Sequence, residues 1–127
     1  MKQLLAVFAI AAVLAGCGES KVDPDKLNHA NALVNTGQYE EGIALLEGLF
    51  ASSPNDIALK QSLISAHMKY ANFNMYNDEL APRVKYPQAL KHYRAVLKLD
   101  ENHQGAQDGA KQIVEIYEMM GRPVPEV

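Results

Sequence analysis

The chain of 127 residues has a single cysteine, Cys17. No disulfide can form within it, so the fold must rest on a packed core rather than on covalent staples. An excess of positive charge is also missing: 12 Lys and Arg stand against 15 Asp and Glu, a net charge of −3. That balance argues against binding nucleic acid and against electrostatic docking on anionic lipid. No segment alternates apolar and polar residues as a half-buried strand does, and no hairpin signal is present. The longest apolar run, Leu4 to Leu14, is too short to cross a bilayer, which takes about 20 helical residues.

Patterns for catalysis are absent as well. His29, His67, His92 and His103 include no His-x3-His helix pair able to share a metal. Ser52-Ser53 has no base nearby, and no Gly-rich phosphate loop follows a strand. Glu40-Glu41 and Asp100-Glu101 fall near helix ends, where carboxylates cap or are solvated. His29 and His67 read as satisfied core or groove histidines. No enzyme, metal site or cofactor is expected.

What is present begins with the leader. Lys2 gives a positive start, the apolar run follows, and Ala15-Gly16 precede Cys17, the layout of an export signal. Leu14-Ala15-Gly16-Cys17 resembles the bacterial lipobox. The resemblance implies cleavage before Cys17 and acylation of that residue, the thiol forming a thioether to diacylglycerol. Residues 1–16 are then a removed signal peptide, and 17–23 an acylated cysteine and short tether. About six residues at roughly 3.3 Å each reach about 20 Å. Two or more acyl chains on Cys17 would hold the membrane firmly. In Gram-negative lipoproteins an Asp after the cysteine marks inner-membrane retention. Gly18 stands there, so the expected place is the envelope, at the outer membrane facing the periplasm in such a host.

Beyond the tether the periodicity is helical throughout. Asp23-Pro24 reads as an N-cap followed by a first-position proline. Helices are expected over 24–36, 39–52, from about Asp56 onward, 87–99 and 103–120, with a tail over 122–127. The fold class is all-α. Aligning Tyr39 with Tyr86 matches Gly42 to Ala89, Ile43 to Leu90, Leu46 to Tyr93, Leu49 to Val96 and Phe50 to Leu97. The offset is a period of about 34 residues plus an insertion of about 13.

Gly37-Gln38-Tyr39-Glu40-Glu41-Gly42-Ile43 with Pro54, Tyr86-Pro87-Gln88-Ala89-Leu90 with Leu99-Asp100-Glu101-Asn102, and Ile113-Val114-x-x-Tyr117 with Gly121 resemble the tetratricopeptide repeat. The family's first-helix Trp is absent. The resemblance implies a short solenoid over 24–121: two helix-turn-helix units and a C-terminal capping helix. It also implies a groove along the first helices that takes an extended peptide or a helix. Matching positions there are Leu27, Asn31, Val34 and Asn35, then Gln61, Ser62, Ser65, Met68 and Lys69. Small residues at Gly42 and Ala89 let paired helices approach, and Tyr39 and Tyr86 fill the crossings as core.

Residues 72–85 interrupt the second unit. They read either as an extension of the third helix with a packed loop, or as a projection carrying Phe73, Met75 and Tyr76 toward a partner. Arg83, Lys85, Lys91, Arg94 and Lys98 fall in 80–99, which holds no acid. That segment reads as a solvated face or as a surface for an acidic partner. The expected function is a lipid-anchored protein-interaction adaptor, and the alternative is a self-associating structural subunit of a larger complex. In a bacterium that processes lipoproteins, the chain should incorporate labelled palmitate, and Cys17→Ser should abolish the label. Retained label in that variant would remove the anchor.

Overall fold

The computed structural model describes residues 21–127. The leader, Cys17 and Gly18–Ser20 lie outside the described residues. Within them are five α-helices and no strand: α1 (Pro24–Asn35), α2 (Tyr39–Ser52), α3 (Ile57–Met75), α4 (Pro82–Leu99) and α5 (Gln104–Met119). The all-α expectation holds.

Local chemistry sets most of the helix ends. Asp23 Oδ1 accepts from Asp25 N at 2.9 Å, and Pro24 takes the first position of α1, where its missing N–H is not needed. α1 and α5 close in the same way. Gly37 (φ 85°) and Gly121 (φ 63°) adopt left-handed conformations that a side chain would strain. Gln38 N reaches Leu33 O and Gly37 N reaches Val34 O. Arg122 N to Tyr117 O and Gly121 N to Glu118 O repeat the pair.

A second turn is also duplicated. After α2, Asp56 N bonds Ser53 O, and the Asp56 carboxylate accepts from Leu59 N at 2.8 Å. After α4, His103 N bonds Asp100 O, and His103 Nδ1 accepts from Ala106 N at 3.2 Å. The two turns stand at the offset that relates Tyr39 to Tyr86.

Dense packing joins each helix to the next, and α1 also touches α3. Two clusters form the core. The first unites Ala30 and Val34 of α1 with Ile43 and Leu46 of α2 and Leu59, Leu63 and Ala66 of α3. The second unites Ile64, Ala71 and Met75 of α3 with Leu90, Tyr93 and Val96 of α4 and Ile113 and Tyr117 of α5. α3 is thus the central helix and buries residues on both sides. α5 turns Gln107, Asp108, Lys111, Gln112 and Glu115 to solvent, a polar outer face. Val22, ahead of α1, also sits in the first cluster.

The 72–85 segment is mostly helix. α3 runs on to Met75, and α4 starts at Pro82, five residues before the expected start at Pro87. Pro82 opens α4 where Pro is tolerated, and Pro87 lies inside the helix. Burial at Ala89, Leu90 and Tyr93 outweighs the one lost backbone bond. The asparagines that weaken helix propensity here make specific bonds. Asn72 accepts from the Tyr93 hydroxyl at 2.7 Å, Asn74 donates to Tyr70 O at 2.9 Å, and Asn77 accepts from Glu79 N in the turn at 3.0 Å.

Two glycines permit helix contacts. A Cβ on Gly42 would lie 2.5 Å from Val34 Cγ2 and 2.9 Å from Ala30 O; one on Gly109 would lie 2.4 Å from the Tyr93 ring, itself 1% exposed. Gly109→Ala should therefore destabilise the fold by about 1–3 kcal/mol through overpacking. Gly48, with nothing within 4 Å of such a Cβ, should gain about 0.5–1 kcal/mol on change to Ala. Urea denaturation measures both, and equal effects would refute the packing account.

Candidate functional site

The expected groove residues lie on one face formed by α1 and α3. Asn31 Nδ2 donates to Ser62 Oγ at 3.3 Å, and Lys69 Nζ donates to Asn35 Oδ1 at 2.6 Å. Four polar groups expected to meet a peptide thus bond one another and tie α1 to α3. Val34 is a correction: it is 4% exposed and packs against Gly42, out of reach of a ligand. Helical periodicity turns Val34 inward while Asn31 and Asn35 face out. Met68 packs on the second core cluster near Gly105 of α5; Gln61 and Ser65 stand exposed with no bond across the face.

Around the insertion the outcome is divided. Tyr76 is 67% exposed and Phe73 46%, but Met75 is buried in the second cluster and not on a projection. Phe73 leans on Tyr39, with ring centroids 5.3 Å apart, and Tyr39 stacks on Tyr70 at 5.0 Å. Tyr39 therefore joins α2 to α3. His29, expected near the packing face, is exposed.

Among the described residues, a concavity lies on another side of α3. Residues 62, 65 and 69 point one way along the helix, and 63, 67 and 70 the opposite way. There a cleft of about 680 Å³ opens between α2 and α4. Glu40 and Glu47, two turns apart on α2, line one wall. Lys91, Arg94 and Lys98, spaced three and four residues apart on α4, line the other. Tyr70, His67 and His92 form the floor, and Val127 closes one end.

That floor holds a buried pair of imidazoles. His67 Nδ1 and His92 Nδ1 are 2.9 Å apart, and the residues are 5% and 7% exposed. Glu47 Oε1 lies 3.7 Å from His67 Nε2. The carboxylate favours a proton on that nitrogen, which leaves His67 Nδ1 to accept from His92. The Tyr70 ring covers His92 at 4.5 Å, and its hydroxyl donates to Glu40 at 2.8 Å. Burial, aided by the Lys91 ammonium, lowers the His67 pKa from 6.5 to about 4. His92 falls to about 4 by burial first, then by His67 and Lys91, with Glu40 opposing. Both rings are therefore neutral near pH 7.

Sequence reasoning passed over this pair. His67 and His92 are 25 positions apart, with no ligand spacing. The available signal was helical register: each stands with apolar neighbours on its helix, Leu63 and Ile64 on α3, Ala89 and Val96 on α4. The carboxylates of Glu40 and Glu47 and the bases of α4 carry no motif either, because their meeting depends on helix pairing.

The chain matches no protein-family model, no curated protein and no solved structure. Any family reading therefore rests on the motif residues and the helix order.

The imidazole pair makes stability depend on pH. In the folded protein both rings resist protonation down to about pH 4, whereas in the unfolded chain they take up protons near 6.5. Between these values the unfolded state binds more protons, so stability is full above about pH 6.5 and falls as pH drops toward 4. Tm should decrease on the order of 5 °C between pH 7.5 and 5. The variant with His67→Gln and His92→Gln should show a flatter profile over that range, and a slope equal to that of the unaltered protein would refute the assignment.

Proposed function

We propose that this chain is a lipid-anchored, tetratricopeptide-like adaptor that holds a protein partner at the bacterial envelope. In a Gram-negative host its place is the outer membrane, facing the periplasm. The observation that carries the repeat reading is the duplicated turn. Ser53–Asp56 and Asp100–His103 make the same backbone bond, and each is followed by the same cap to the next helix. Gly37 and Gly121 close first helices alike, as units of one repeat would. Helix pairs of this kind bury their stripes by stacking on their neighbours, and the central role of α3 fits that arrangement.

The anchor reading rests on Leu14-Ala15-Gly16-Cys17, and the adaptor reading on an accessible charged cleft without an active-site pattern. The competing role is a self-associating subunit. The polar outer face of α5 favours the adaptor, because such a face ends a stack rather than extending it.

A mild-detergent pull-down with the acylated protein, repeated with Cys17→Ser, tests the proposal. A specific partner should be recovered by the acylated form, and sizing of the unacylated form should give a monomer independent of concentration. Recovery of the chain alone, with a mass rising with concentration, would favour the subunit role.

A further inference from the structure

The α2–α4 cleft has two walls of opposite charge. Glu40 and Glu47 face Lys91, Arg94 and Lys98 across it. None of the ion pairs among the described residues joins the two walls. The neutral imidazole floor adds no charge of its own near pH 7. A ligand of one sign would meet attraction from one wall and repulsion from the other. A ligand carrying both signs on opposite sides satisfies both walls.

The chain itself displays one contact such a ligand would make. Arg94 donates to the Pro125 carbonyl oxygen at 3.1 Å and to a main-chain oxygen of Val127, the last residue given, at 3.0 Å. Residues 122–127 are not helical, and Pro123 and Pro125 hold the backbone near φ −65°. Backbone outside helices leaves its carbonyls free to accept from other groups. The basic wall thus already grips non-helical main chain at one end of the cleft.

We propose that this cleft binds an extended peptide segment in which acidic and basic residues alternate. The inference deepens the adaptor reading and rests on it for the partner being a protein. Successive side chains of an extended strand point to opposite sides. Alternation therefore turns every acid to Lys91 and Lys98 and every base to Glu40 and Glu47. Each wall extends about 10 Å along its helix, which accommodates about three to four extended residues. The cleft volume of about 680 Å³ falls within the range of sites that enclose small ligands or short segments. The partner's main chain lies over the His67–His92 pair, next to residues 125–127.

Fluorescence anisotropy on the purified full chain in mild detergent tests this. The probes are three fluorescein-labelled ten-residue peptides with the same Gly-Ser flanks. Their cores are Glu-Lys-Glu-Lys, Glu-Glu-Lys-Lys and Ser-Ser-Ser-Ser. The alternating peptide should bind about tenfold tighter than the other two at low salt, with the gap narrowing as salt rises. Lys98→Glu and Glu47→Lys should each remove that advantage, whereas Lys111→Glu on the outer face of α5 should leave it. All three altered positions are exposed, and circular dichroism checks that the variants keep their helices. Equal affinity for the three peptides, or an advantage that survives Lys98→Glu and Glu47→Lys, overturns the proposal. A partner that the anchored Lys98→Glu protein still captures in the pull-down would leave the adaptor reading standing and remove the cleft as its site.

Discussion

A hydrogen bond between two buried imidazoles, His67 to His92, joins α3 to α4 at 2.9 Å. Two cationic rings could not share that bond, since one Nδ1 must accept, and burial keeps both neutral near pH 7. The bond sets the floor of the cleft and helps fix how far the charged face of α4 stands from α2. Glu47 supports one ring and Tyr70 covers the other, which brings three helices into one polar network. Such a network specifies a unique arrangement when every member is satisfied, and every buried side-chain nitrogen and oxygen among the described residues has a partner.

The sequence was most legible where local chemistry decides structure. Asp23-Pro24 was readable as a cap and first turn, and Gly42 as a close-approach residue, because the reasons lie within a few positions. Legibility failed where distant segments decide. Pro87 looked like a helix start, yet the buried residues that follow it carry α4 through the proline. Asn72 and Asn74 are weak helix formers, and their partners Tyr93 and Tyr70 were not visible from propensity alone. Asn31 and Asn35 looked free for a peptide, but helix pairing supplies Ser62 and Lys69.

The site shifted for the same reason. Positions along α1 and α3 are pattern-coded, and the structure occupies four of them with bonds between the helices. The α2–α4 cleft has no pattern, since it exists only once α3 has placed the two helices on one side of itself. A solvated stripe of bases on α4 and two acids on α2 are each unremarkable singly. Facing each other they form a field with a direction, the basis of the proposed selectivity.

Val22 gives the molecule a mechanical aspect. It is seated in the first core cluster, one residue before the cap of α1. In the proposed anchored form, little slack separates the bilayer from that cluster. A pull between membrane and bound partner would then load Val22 and the α1–α2 pair first. The α3–α4 hairpin, pinned by its imidazole bond, would lie downstream of that load. Detachment under tension would begin where Val22 and α1 leave the first cluster, before the α3–α4 hairpin is loaded.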